Sequence, residues 1–410
     1  MSYLIVKGGA NLKGELESPP SWRLAQVWLL TALLGENPLT ITPFPSFFPF
    51  SPYRDLLEFL GVKITLRSAA VTVQGRAVND YKIPPRAQNL IFFKSLLATA
   101  LVARFQQALV PWSKEENPQF RWLWEKEGLQ VNFRDNFLFL RGELKGGVIE
   151  LPLNDWRLSF LALVGALKAK EATRLINLEQ GPEVQNFLRL LRELGAEWEK
   201  NGSSELVVFP SAFKGGQVKL EIDPRGGLFL ASAVLLKKGE VFLRHWRLEQ
   251  LTAIFAKLQE LGGGFRSNEE GVWFWGRETN LGAGKINLTA YPAIAAETWP
   301  FFLSLFTQAR GESILAPLPP QASAGVKLLQ QMGAEISLLP LPEGKKEAHL
   351  FGPTPLAGTE LQVENEETLW VALLAALNAK AQTKIDLPSP ITFPAWWKLL
   401  PPLGAIIEEG

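Results

Sequence analysis

Arg192-Glu-Leu-Gly-Ala-Glu-Trp198 decides the fold, because the chain repeats its pattern six times. The other copies are Glu58-Phe-Leu-Gly-Val-Lys-Ile64, Glu125-Lys-Glu-Gly-Leu-Gln-Val131, Gln259-Glu-Leu-Gly-Gly-Gly-Phe265, Gln330-Gln-Met-Gly-Ala-Glu-Ile336 and Pro401-Pro-Leu-Gly-Ala-Ile-Ile407. Their glycines, Gly61, Gly128, Gly195, Gly262, Gly333 and Gly404, stand 67, 67, 67, 71 and 71 residues apart. A glycine just past a helix takes the left-handed conformation that stops it, and a strand then starts. Near-constant spacing of this length is the mark of an internal repeat. The second copy departs slightly, with Glu127 where the others place an apolar residue.

Reading outward from each glycine fills in one copy. Upstream lies a helix with apolar spacing, as in Val184, Phe187, Leu188, Leu191 and Leu194. Before it comes a short strand such as 39–41, 173–176, 240–243 or 313–315. Before that is a helix of small and apolar residues: 24–34, 96–105, 158–167, 228–236, 299–307 and 369–377. These helices are apolar nearly all round and are expected to be buried. Downstream, two strands meet in a tight turn, as in 196–209 with Asn201-Gly202. The copy is β-α-β-α-β-β, and the fold class is α/β. Three first helices around one centre make a domain, so six copies imply two domains.

Composition narrows the function. The chain has 410 residues, 47% hydrophobic and 20% charged, with a formal net charge of +1. That balance describes a folded globular protein with no global field for nucleic acid or membranes. There are no cysteines and only His245 and His349, far apart in sequence, so thiolate chemistry is excluded and neither a His–His metal pair nor a His-based triad is expected; no cofactor is expected. Apolar runs such as 27–34 are far shorter than a membrane span, and the start lacks the pattern of a signal peptide. The expected location is the cytoplasm.

Several segments resemble one family. Leu4-Ile-Val-Lys-Gly-Gly-Ala-Asn-Leu-Lys-Gly-Glu-Leu16, Ala100-Leu-Val-Ala-Arg-Phe105, Ile176-Asn-Leu-Glu-Gln-Gly-Pro-Glu-Val184, Leu288-Thr-Ala-Tyr-Pro292 and Leu356-Ala-Gly-Thr-Glu-Leu361 are similar to the enolpyruvyl transferases. The likeness is greatest to the branch that acts on UDP-N-acetylglucosamine. Thr392-Phe-Pro-Ala-Trp-Trp397 looks more like the branch that acts on shikimate 3-phosphate. The resemblance implies two pseudo-threefold domains with a cleft between them. Copies one to three would span 17–212, and copies four to six, 213–410, would join residues 1–16. It also implies carboxyvinyl transfer from phosphoenolpyruvate to an acceptor hydroxyl. The ligand would be an anionic small molecule: phosphoenolpyruvate, a sugar nucleotide or a shikimate phosphate.

Carried over position by position, the resemblance names candidates. A lysine of the first copy is replaced by Trp22, with Arg23 beside it as a cation or as a solvated helix-start arginine. The loop of the second copy reads 110–118, where Glu115 or Glu116 offers an acid or a plain surface charge. Asp155 and Arg157 stand at the substrate-contacting turn of the third copy, as ligands or as a helix cap and a surface arginine. Glu297 occupies about the place of the catalytic aspartate and is the candidate base; the alternative is a residue favoured by the helix dipole. Asn365-Glu366-Glu367 replaces a motif that carries a cation. Lys94 and Arg225 are substitute cations, Arg225 in the Gly-rich stretch Asp223-Pro-Arg-Gly-Gly227, where backbone N–H groups can also hold an anion. Trp22, Trp112, Trp156 and Trp299 fall near polar contacts of the family and would either line a more apolar cleft for a different ligand or mark a cleft that has closed and lost its ligand.

Two readings follow. One is a diverged carboxyvinyl transferase with most phosphoenolpyruvate-binding positions replaced. The other is a non-catalytic paralogue, a ligand-binding or protein-interaction module that keeps the fold. Fold alone does not choose between them.

Overall fold

The computed structural model describes residues 2–113, 116–153, 155–202, 204–276 and 281–410, with backbone only at 249 and 250. The helices alternate in kind along the chain. In chain order they are α1 (Trp22–Thr31), α2 (Phe50–Phe59), α3 (Ile91–Phe105), α4 (Pro118–Lys126), α5 (Trp156–Ala166), α6 (Pro182–Glu193), α7 (Pro224–Lys237), α8 (Thr252–Glu260), α9 (Trp299–Phe306), α10 (Ala322–Gln331) and α11 (Glu366–Asn378). Odd-numbered helices are the apolar ones; every residue of α1 and of α9 is buried. Even-numbered helices are amphipathic and bury one face, as α6 does with Val184, Phe187, Leu188 and Leu191. The sixth copy replaces its second helix with two short 3₁₀ turns, Trp396–Leu399 and Pro401–Leu403. Pro394, Pro401 and Pro402 deny a longer helix the N–H donors it needs.

All six repeat glycines have positive φ: 85° at Gly61, 92° at Gly128, 97° at Gly195, 105° at Gly262, 92° at Gly333 and 104° at Gly404. The fold is α/β, six copies of a βαβαββ plan in which the first strand of copy two is reduced to a single bridge, Lys82 to Leu109, and the chain divides into two compact units: residues 20–221, here the first unit, and residues 1–19 with 222–410, here the second.

In the first unit α1 and α5 both pack on α3. Its sheets run 216–219, 39–42, 70–74, 63–67; then 107–111, 137–141, 130–134; then 198–200, 206–208, 173–176, 147–150. In the second unit α7, α9 and α11 pack pairwise. Its sheets run 263–267, 271–276, 240–244, 13–17; then 285–287, 311–318, 346–352, 335–340; then 360–362, 383–386, 3–7, 406–409.

Two strands sit in sheets other than their own copy's. Lys13–Glu17 opens copy one but pairs parallel with Glu240–Arg244 of copy four. Gly216–Lys219 opens copy four but pairs parallel with Leu39–Thr42 of copy one. The chain therefore leaves the first unit at 221/222, later than the 212 that the resemblance implies, because the strand after 212 is bonded into the first unit's sheet. Tyr3–Lys7 lies antiparallel to both Thr383–Asp386 and Ile406–Glu409, filling the place that Leu206–Val208 holds in copy three. Among the described residues no helix is long and apolar enough to cross a membrane.

Candidate functional site

The candidates fall into clusters at the starts of the buried helices. In the first unit Ser21 caps α1, its Oγ accepting from the Leu24 N–H at 3.1 Å. This fixes the first turn and so the direction of Arg23. Arg23 is not a solvated helix-start arginine: it is 4% exposed. Its Nη1 donates to Glu183 Oε2 at 2.8 Å, and the Ser21 hydroxyl donates to Glu183 Oε1. Glu183 is itself buried, in the first turn of α6 behind Pro182. The Arg23 guanidinium lies over the Trp156 ring at 3.6 Å, and Arg157 stacks on that ring at 4.5 Å. Asp155 caps α5, its Oδ1 accepting from the N–H groups of Arg157 at 2.9 Å and Leu158 at 3.1 Å. Sequence candidates Arg23, Asp155 and Arg157 thus converge around Trp156. Trp22 packs on Phe48 in a stacked pair at 6.1 Å, as a core residue.

Lys94 forms a second, separate pair. It is fully buried on α3, donating to the Gln88 carbonyl at 2.8 Å and to Glu116 Oε1 at 2.5 Å. Burial pulls its pKa below the usual lysine range, and Glu116 opposes that. Glu116 is therefore no solvated loop charge, since an unpaired buried ammonium would be far more costly. Glu115 lies outside the described residues.

In the second unit Asp223 caps α7, its Oδ1 accepting from Arg225 N at 2.9 Å and Gly226 N at 3.2 Å. The Gly-rich stretch is the first turn of the helix, and these N–H groups are already engaged by Asp223 rather than waiting for an anion. Arg225, buried, donates from Nη2 to Asp223 Oδ2 at 3.0 Å and from Nη1 to Glu366 Oε2 at 3.3 Å. Trp396 Nε1 donates to Glu366 Oε1 at 2.6 Å. Burial drives the Glu366 pKa up to about 8; Arg225 opposes this, and Glu367 and Asp223 add to it. Asn365 caps α11, its Oδ1 accepting from Thr368 N at 2.9 Å while Thr368 Oγ1 accepts from the Asn365 N–H at 3.2 Å. Glu297, half-buried, sits in the 3₁₀ turn Ala296–Thr298 directly ahead of α9.

Of the four tryptophans expected to line a cleft, Trp112 and Trp299 are buried like Trp22. Trp299 fits against Gly325, where a Cβ would stand 2.6 Å from the indole. Trp156 alone of the four is half-buried. Glu183, Asp223 and Glu366 escape the sequence reading as partners. A glutamate in a helix's first turn looks like an ordinary dipole residue, and only burial marks it otherwise. Among the described residues no group of three or more His, Asp or Glu is placed to hold a metal ion.

Comparison with known proteins gives consistent matches. The sequence pattern of the family described as EPSP synthase (3-phosphoshikimate 1-carboxyvinyltransferase) matches residues 128–399. UDP-N-acetylglucosamine 1-carboxyvinyltransferase of Pelodictyon phaeoclathratiforme is 23% identical over 397 residues, 94% of this chain and 92% of that protein. The enzyme of the same name from Helicobacter hepaticus is 25% identical over 410 residues, 94% and 93%. Among solved structures the enolpyruvyl transferase NikO from Streptomyces tendae superposes with a TM-score of 0.86 at 18% identity, covering 100% of this chain and 98% of that one. EPSP synthase from Acinetobacter baumannii superposes with a TM-score of 0.70 at 16% identity, covering 100% and 99%. At these identities the structures share the fold.

Proposed function

Because the chain belongs to the EPSP synthase family of enolpyruvyl transferases, we propose that it is a non-catalytic member, a ligand-binding or protein-interaction module that does not use phosphoenolpyruvate in the family's usual way. One observation carries this reading: the buried candidate cations already face carboxylates of their own unit. Arg23 is paired with Glu183, Lys94 with Glu116, and Arg225 with Asp223 and Glu366. Carboxyvinyl transfer needs cations that hold a phosphate and a carboxylate. A phosphate entering beside Glu183 would meet a like charge, and taking Arg23 from Glu183 would break a buried ion pair at a cost of roughly 3–5 kcal/mol. A place in the cytoplasm fits this reading.

One feature favours the other reading, a diverged transferase: Glu297 keeps a carboxylate immediately before α9. Thermal shift and phosphate release separate the two. Phosphoenolpyruvate is offered alone, with UDP-N-acetylglucosamine and with shikimate 3-phosphate. The expected result is no stabilisation and no inorganic phosphate. Phosphate release that disappears in Glu297→Gln would overturn the non-catalytic reading.

A further inference from the structure

Copy two breaks the repeat at one place. Five copies set Leu60, Leu194, Leu261, Met332 or Leu403 before the glycine, and copy two sets Glu127. Its side chain does not turn out to solvent: Glu127 is 4% exposed, and both carboxyl oxygens lack a hydrogen-bond partner. It points at α5, where a Cβ on Gly165 would collide with Glu127 Oε1. The slot around it, between Leu144, Ile149, Ala166 and Thr173, has no room for a water molecule. The Thr173 hydroxyl, also buried there, is likewise unpartnered.

Among the described residues no charged group compensates this carboxyl. Glu125 on α4 pairs with Arg121, Glu143 in the adjoining turn with Lys170, and Arg174 on the neighbouring strand with Glu205. Lys168 donates to the Ser211 carbonyl, and Lys126, Lys145, Glu150 and Glu171 are exposed. Burial alone holds the Glu127 pKa well above the ordinary carboxylate range. A neutral carboxyl can stay in such a slot; an ionised one cannot, because a bare buried charge is far costlier than a buried dipole.

We propose that Glu127 is a proton-operated latch, which closes α4 onto α5 while its carboxyl is neutral and releases that junction when it ionises. The other end of α4 follows directly on the segment that carries Glu116, the partner of Lys94. Release at Glu127 is thereby transmitted along one nine-residue helix to the buried Lys94 pair.

The test uses the full chain and the variants Glu127→Gln and Glu127→Leu. Leu restores the residue most copies carry, so both variants are expected to fold. Raising pH from about 5 should increase the wild-type unfolding constant of the first unit by up to about tenfold per pH unit until the carboxyl ionises in the folded state. Both variants should lack that component, and Glu127→Leu should melt higher than wild type at pH 8. Hydrogen exchange should place the alkaline loss of protection at 118–128 and 142–147, relative to Glu127→Leu at the same pH. A pH slope unchanged in both variants, or identical exchange in wild type and Glu127→Leu, would overturn the latch.

Discussion

A guanidinium carries one positive charge, and Arg23 meets Glu183 while the indole of Trp156 covers its face. Glu183→Ala should therefore destabilise the first unit by roughly 3–5 kcal/mol, because it breaks the buried ion pair with Arg23 and takes the acceptor from the Ser21 hydroxyl. Arg23→Met combined with Glu183→Leu should recover most of that loss. Urea unfolding of the two variants checks both statements. Glu366 makes a second, oppositely tested case. Its pKa rises from 4.5 to about 8 on folding, so the unfolded chain releases this proton first. The stabilisation is complete below about 4.5 and is lost as pH climbs toward 8, by about 1.4 kcal/mol per unit. Glu366→Gln should flatten that limb for the second unit, read by thermal unfolding across the same pH range. Neither pairing was visible in the sequence. Arg23 and Glu183 are 160 residues apart, and nothing local marks either as buried.

At the scale of elements the sequence was far more legible. The glycines, the apolar helices and the hairpins each follow from local rules: left-handed backbone, helical spacing and turn residues. Gly262 isolates the conformational part, since a Cβ there would meet nothing within 4 Å among the described residues. Gly262→Ala should cost about 1 kcal/mol by chemical denaturation, the price of a positive φ alone. Gly227→Ala should cost more, because its Cβ would collide with the Trp246 indole. The caps explain why the buried helices begin earlier than their apolar runs. Asp155, Asp223 and Asn365 each supply a side-chain acceptor ahead of the first apolar residue. They therefore serve the fold at places where a substrate ligand was also expected.

For the whole molecule, the N-terminal strand is the telling part. Tyr3–Lys7 sits between Thr383–Asp386 and Ile406–Glu409, so it joins two strands that otherwise share no partner. Removing residues 1–8 should leave both with unpaired edges and make the second unit sensitive to limited proteolysis, while the first unit stays resistant. The repeat itself, its period, its helix ends and its α/β class were set by the sequence alone, because each rests on residues within a few positions of one another. Which strand closes which sheet was settled only by the tertiary structure, as were the burial of Arg23, Lys94 and Arg225 and the stranding of Glu127 in the core. Those outcomes depend on groups distant along the chain meeting in a low-dielectric interior, where a charge is tolerated only with a partner or a proton.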